Sequence, residues 1–286
     1  MEKSVSVRNQ VHTGADEKRI LALLNITDEV VPVMEVALAL ARKHTGEITA
    51  KNFMILPFKT SSSPDSWFAE DPLKNPWMAS KFHSRDLNVT SSLVLSRDRK
   101  RAVIETIIEK KIDFVIGGFQ GYADIYKNLR NAFAQIPADT LCLRPPPDKK
   151  IGDMSRLLVP LKVGLHTPLA LAVACDLAEI FRQKLVILYD QTLRIDEEPW
   201  EQILNGFEKK SGSMNLERIP SGKKSIISNI LKEFQRDTWL VLPALSSSWR
   251  TRFRPGYKQK DLLNEIIKCS DVPVMIVKKH QSSRVS

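Results

Sequence analysis

The chain has 286 residues, 43% of them hydrophobic and 27% charged, which is long for one compact domain and comfortable for two of roughly 100–150 residues each. Its formal net charge of +10 points to an acidic or phosphate-bearing partner without specifying one, since basic charge spread over a surface also serves solubility. No apolar run reaches the ~18 residues a membrane-spanning helix needs, and residues 1–18 hold no apolar segment of a secretory signal, so the expectation is a cytoplasmic protein without direct membrane insertion.

Residues 1–18 read as a flexible polar tail. The first apolar run, Arg19-Ile20-Leu21-Ala22-Leu23-Leu24-Asn25, has the form of a strand buried on both faces. Val30, Val33, Met34, Ala37, Leu38 and Ala41 then come at the spacing of an amphipathic helix, and Thr27 and Asp28 offer side-chain oxygens to cap it. A second strand is predicted over 48–56, and a long irregular segment with Trp67 and Trp77 over 57–87. A third strand over 91–95, a helix built on Val103, Ile104, Ile107 and Ile108, and a fourth strand over 113–116 come next. A helix and an apolar strand over 140–143 close the unit.

Arg144, Pro145, Pro146, Pro147 and the polar residues to Lys150 form a stiff linker. Residues 155–279 repeat the unit in pattern rather than identity. Arg156-Leu157-Leu158-Val159-Pro160-Leu161-Lys162 opens the second copy, and Leu169, Ala172, Val173, Leu177 and Ile180 make its helical stripe. Thr167 is the predicted cap there, with Pro168 suited to the first helical position. Strands are predicted over 185–189, 214–219, 239–242 and 273–277, with an acidic irregular segment over 190–212. Ile226, Ile227, Ile230, Leu231 and Phe234 mark a helix between the later strands. Arg19 to Ile48 and Arg156 to Leu185 each span 29 residues, enough for a right-handed parallel crossover. The fold class is therefore α/β, with two tandem doubly wound, Rossmann-like domains, each on a five-stranded parallel sheet. The boundaries are a tail over 1–18, a first domain over 19–144, a Pro-rich linker over 145–154, a second domain over 155–279 and a flexible tail over 280–286.

Chemistry-bearing motifs are sparse. Cys142, Cys175 and Cys269 sit in apolar patterns and read as buried reduced thiols. His12, His44, His83, His166 and His280 lie at no metal-site spacing from one another or from a cysteine. No Gly-x-Ser-x-Gly elbow, Walker loop or His-Glu-x-x-His occurs. Neither catalysis nor a metal site is expected.

The order of elements resembles the universal stress protein family. The likeness is strongest at Arg156 to Leu161, at the helix and strand over 262–277, and at Asp113-Phe114-Val115-Ile116-Gly117-Gly118-Phe119-Gln120-Gly121, where that family's fourth strand runs into its phosphate loop. It covers about 19–279. Tandem members pack their two domains as an intramolecular pseudo-dimer, and similar paired domains form cytosolic regulatory tails of some ion and amino-acid transporters. The resemblance implies a non-enzymatic regulatory or stress-response module. ATP or another adenine nucleotide is the implied ligand, and a membrane transporter, another protein or a second copy of the chain the implied partner. Because the sequence starts at Met1 and holds no apolar span, a separate soluble subunit is expected over an intact transporter, with a cut-out tail as the alternative. A docking scaffold without nucleotide is the rival function.

ATP-binding members of that family place an acidic residue after the first strand and a loop after the fourth. The loop reads Gly, two residues, Gly, nine residues, Gly, then Ser or Thr. Glycines let backbone N–H groups approach phosphate closely, and a helix N-terminus adds its dipole. Gly118 and Gly121 match the opening, preceded by Gly117, while Asn131 and Ala132 stand where the closing pair falls. Asn25 occupies the acidic position. In the second copy Lys162 takes that position and Pro243-Ala244-Leu245-Ser246 replaces the glycines. The first site is thus expected to be degenerate and the second altered and basic. The competing reading of Gly117, Gly118 and Gly121 is a tight strand-to-helix turn that holds no ligand.

Over 246–260, Arg250, Arg252, Arg254, Lys258 and Lys260 interleave with Trp249, Phe253 and Tyr257, a composition that suits phosphate contacts and stacking. Lys162, Ser246, Ser247, Arg250, Arg252 and Arg254 form the candidate anion site, against the reading of a solvated surface loop. Nucleic acid ranks last among the partners. Trp67, Phe68, Trp77 and Phe82 in the first crossover either cover a sheet edge or the other domain, or dock another protein.

Overall fold

The computed structural model describes residues 17–24, 30–55, 87–119, 135–144, 151–161, 165–190, 199–211, 216–221, 233, 237–244 and 273–280. Among them, the short apolar runs form Arg19–Leu24 (β1), Glu47–Ile55 (β2), Val89–Ser96 (β3), Phe114–Gly118 (β4) and Asp139–Arg144 (β5) in the first half. The second half has Arg156–Leu161 (β6), Lys184–Asp190 (β7), Leu216–Ser221 (β8), Thr238–Pro243 (β9) and Val274–Lys278 (β10). Every predicted strand is present, with ends displaced by one or two residues. The helices are Val30–Lys43 (α1), Arg99–Lys110 (α2), Thr167–Phe181 (α3) and Pro199–Ser211 (α4).

The strands form one ten-stranded sheet in the order β3-β2-β1-β4-β5-β10-β9-β6-β7-β8. Each half is parallel and doubly wound about its first strand. Equal sequence spacing becomes equal register: Ile20 pairs with Ile48 across β1 and β2, and Leu157 with Leu185 across β6 and β7. The halves meet through the antiparallel pair β5–β10, where Leu143 lies opposite Met275 and Leu141 opposite Val277. The pseudo-dimer is therefore joined along its backbone as well as through its helices.

Strands buried on both faces sort their alternate residues into two cores. Ile20, Ala22, Leu24, Ile116, Leu157, Val159, Trp239 and Met275 face α1 and α3. Leu21, Val115, Cys142, Leu158, Val186 and Ile276 form the core on the opposite face, where Ala102, Val103 and Ile107 of α2 pack. Cys142 and Cys175 are buried thiols. Burial and the neighbouring carboxylates of Asp176 and Glu179 push the Cys175 thiol up to about 12, so it packs as a small hydrophobe.

Across the seam between halves, polar side chains join the end of α1 to α3. Lys43 reaches Glu179, and His44 Nε2 lies 2.8 Å from Asp176 Oδ2. Where the polypeptide enters the second half, a short 3-10 turn, Ile151–Asp153, folds into the seam. Ile151 and Met154 are buried; the Ile151 N–H donates to Glu35 Oε2 at 3.3 Å, and Gln183 Nε2 donates to the carbonyls of Ile151 and Met154 at 2.8 Å each.

Two expectations need correction. The acidic stretch 190–212 is not irregular throughout, for it contains α4. Trp200, Ile203, Leu204 and Phe207 fall at i, i+3, i+4 and i+7 along it, and Leu204 is buried in the core against α3. Thr167 is the first helical residue of α3 rather than its cap. His166 precedes it in a helical conformation with no side-chain capping bond, and Pro168 lies in the first turn. The capping residues Thr27 and Asp28, the tryptophans of 57–87, most of the 226–234 helix and Cys269 lie outside the described residues.

Candidate ligand crevices at the carboxyl edge

In an open doubly wound sheet the ligand crevice opens outside the carboxyl ends of the strands, where neighbouring connections leave to opposite faces. In the first half that point lies between β1 and β4. β4 pairs with β1 through Leu23↔Gly117 and with β5 through Gly118↔Leu143. The Phe119 N–H donates to the Leu143 carbonyl at 3.0 Å and anchors the strand as it leaves the sheet. Of the predicted residues, Gly117 and Gly118 therefore sit at this edge. Asn25 and Gly121 lie outside the described residues, as do Asn131 and Ala132.

Gly117 is not imposed by packing. A Cβ built on it would meet Leu23 Cβ at 3.6 Å and Cδ1 at 3.7 Å, both ordinary contacts, and its φ lies outside the left-handed range. Gly117→Ala is therefore expected to leave stability unchanged or raise it by up to ~1 kcal/mol, because alanine loses less backbone entropy on folding. Chemical denaturation measures this; a loss above that size would mean the strand end is strained.

One residue at this edge escaped the sequence reading. Asn52 of β2 lies opposite Leu24 of β1, level with Gly118 and 8% exposed. It occupies the third inward position of a strand whose other inward residues, Ile48 and Ala50, are apolar core. A polar residue in an apolar inward alternation was the signal in the sequence. Asn52, Leu24 and Gly118 thus line up across three adjacent strands at the mouth of the crevice.

The second crevice is built differently. The Ala244 N–H donates to Val277 at 2.7 Å as Phe119 does to Leu143, which makes Leu242 the counterpart of Gly117 and Pro243 the counterpart of Gly118. Pro243 has no N–H to offer a ligand. β6 carries Pro160 at the place of Leu23, and its pairing with β9 ends at Leu158↔Leu240, two residues earlier than in the first half. Lys162, Ser246, Ser247, Arg250, Arg252 and Arg254 lie outside the described residues.

His166, one of five histidines that no spacing rule singles out, sits at the start of α3 beside the carboxyl end of β10. It is 5% exposed, and its Nδ1 accepts from the Lys279 N–H at 3.1 Å, which places the ring proton on Nε2. Burial, reinforced by the charge of Lys278, lowers its pKa below the usual 6.5, with Asp139 opposing. Burial likewise lowers that of Lys278, again opposed by Asp139. Asp139 also accepts from the His280 N–H at 2.6 Å across the seam. A folded pKa below the unfolded value means the unfolded chain binds the proton first. His166 thus subtracts stability as the pH falls from about 6.5 towards its folded pKa and is neutral in effect above that. The stability difference between His166→Gln and the native chain should shift in favour of the variant across that window. Parallel pH profiles would remove the assignment.

A cavity of about 440 Å³ lies at the other edge of the first half, lined by Lys18, Arg19, Arg42, Gly46, Glu47 and Asn88 among others. It opens at the amino ends of the strands, where Arg19 and Glu47 form an ion pair at 3.3 Å. Among the described residues no three or more His, Cys, Asp or Glu gather as a metal site, and no helix is long and apolar enough to cross a membrane.

No protein-family model and no curated protein sequence matches the chain. Solved structures do. A universal stress protein from Archaeoglobus fulgidus matches over 93% of this chain and 98% of its own, with TM-score 0.60 and 14% identity. The cytoplasmic domain of a prokaryotic cation chloride cotransporter matches over 92% of this chain and 95% of its own, with TM-score 0.57 and 10% identity. A functionally unknown protein from Pseudomonas aeruginosa PAO1 matches over 93% and 94%, with TM-score 0.52 and 10% identity.

Proposed function

We propose that this chain, which has the tandem universal-stress-protein fold, is a non-enzymatic, cytoplasmic regulatory module whose first half binds an adenine nucleotide and whose second half does not. The observation that carries the reading is the difference between the two carboxyl edges. The first combines Gly117 and Gly118, free of side chains at the strand end, with the buried amide of Asn52. Leu242, Pro243 and Pro160 fill the matching places of the second. An amide offers both a donor and an acceptor, the complement of a purine edge or a ribose hydroxyl, and Asn25 and Gly121 would complete the site as neutral, degenerate versions of its usual residues. Lys162 and the basic loop 246–260 would give the second half an anion-binding role instead.

The experiment is thermal melting of the native chain with ATP, ADP and AMP. A ligand at a hundredfold excess over its Kd adds about 2.7 kcal/mol to stability, a clear rise in Tm. Asn52→Leu should abolish the rise while the protein still folds, and Gly117→Ala should reduce it without loss of stability. Absence of any shift with all three nucleotides rejects nucleotide binding. A second reading, a soluble regulatory subunit or tail of a membrane transporter, is favoured by the likeness to the cotransporter's cytoplasmic domain. It predicts co-purification with a transporter from native membranes, and recovery of free monomer alone counts against it.

A further inference from the structure

The outer face of α2 carries charge and aliphatic surface that folding does not require. Its first turn holds Arg99, Lys100 and Arg101 and no acidic residue, with exposed Arg97 just before it. The positive end of a helix dipole disfavours cations there. The N-cap Asp98 carboxylate accepts from the Arg101 backbone N–H at 3.1 Å. The inward face, Ala102, Val103, Thr106 and Ile107, is buried against the sheet. Outward, Lys100, Ile104 and Ile108 fall at i, i+4 and i+8, which is one stripe along a helix. Ile108 is 66% exposed, more than any other large hydrophobic among the described residues.

We propose that this face of α2 docks an acidic, amphipathic peptide segment of a partner protein. Aliphatic side chains of the segment would cover Ile104 and Ile108, and its carboxylates would meet Arg97, Lys100 and Arg101. The exposed Arg101–Glu105 pair at 2.7 Å is worth little, so exchange of Glu105 for a partner carboxylate costs little. Two isoleucines without an aromatic make too narrow an apolar face for an interfacial membrane helix. The lack of a stacking side chain on α2 disfavours nucleic acid. The docking face stands whether or not the first crevice holds a nucleotide.

The test is fluorescence anisotropy of the full chain with a labelled Glu/Leu peptide of helical amphipathic spacing, at low and high salt. Saturable binding that weakens with salt is expected, and Lys100→Glu and Ile108→Glu should each weaken it roughly tenfold or more. Lys209→Glu, the same charge change on exposed α4, should alter it by less than about twofold. Lys100→Glu removes a cation from the positive end of the dipole, so its melting temperature should not fall. Equal losses for Lys100→Glu and Lys209→Glu would reduce the binding to net charge and overturn the proposal. So would no binding of the peptide, or preferential binding to phosphatidylserine vesicles.

Discussion

Gly46→Ala is expected to cost at least about 3 kcal/mol of folding stability, the upper range for forcing atoms into a packed site. A Cβ built on Gly46 would lie 2.1 Å from the Lys18 carbonyl oxygen, 3.1 Å from its carbon and 3.3 Å from the Lys18 nitrogen. These are backbone atoms, and they cannot rotate away. The Lys18 carbonyl also accepts from the Glu47 N–H at 3.1 Å, while the Gly46 N–H donates to Ala41 at 2.8 Å and closes α1. Relief therefore requires β1 and β2 to separate at their amino ends, which would disturb the register that brings Leu24 opposite Asn52. Two comparators set the scale in urea titrations. Gly152→Ala meets nothing within 4 Å and should change stability by less than about 0.5 kcal/mol. Gly206→Ala, also unobstructed and inside α4, should raise it by up to ~1 kcal/mol. A Gly46→Ala variant as stable as these two would mean the turn after α1 yields freely.

The fold was legible where it depended on local periodicity. The apolar runs at Arg19–Leu24 and Arg156–Leu161, and the equal distance from each to its second strand, translate into parallel ladders with the same 28-residue offset, Arg19↔Glu47 and Arg156↔Lys184. Helix α4 was not legible, because Glu201, Glu208, Lys209 and Lys210 crowd the segment and its apolar stripe is only two turns long. Nor does any local pattern report that β5 and β10 lie side by side. Leu141 and Leu143 look the same in sequence whether the strand edge beyond them is open or paired, and only the long-range register decides it.

The candidate sites were legible only in part, and for a related reason. Glycine at 117 and 118 marks a strand end that keeps its backbone bare, which a sequence states directly. The burial of Asn52 and His166 depends on what the rest of the chain lays over them. For Asn52 the inward alternation with Ile48 and Ala50 carried a trace of it. For His166 the deciding partner is the backbone of Lys279, more than a hundred residues away in sequence, and no spacing rule reaches that far. The two halves diverge at the same register positions. Pro160 and Pro243 remove N–H donors where Leu23 and Gly118 retain them, so the repeat preserves the sheet while its two crevices no longer share a chemistry.

Trp239→Ala should lower stability by about 3–5 kcal/mol, the usual cost of emptying a large aromatic site in a core. The indole is fully buried on β9, where Trp239 pairs with Leu157 of β6 and packs in the core beneath α3. Its Nε1–H has no hydrogen-bond partner among the described residues, and an unpaired buried donor costs about 1–3 kcal/mol. Trp239→Phe deletes that donor along with part of the ring, so the two changes offset and the net loss should stay below about 1.5 kcal/mol. The alanine variant also asks how the halves are coupled. β9 pairs with β10 and β10 with β5, while α3 holds α1 through the Lys43–Glu179 and His44–Asp176 pairs. A defect under α3 should therefore weaken both halves in a single transition. Hydrogen exchange reads this directly: amides of β1, such as Leu21, should lose protection together with those of β7. If β6–β9 opens while β1–β4 keeps its native protection, the β5–β10 seam joins two independently folding units, and the single-sheet account of the protein's stability fails.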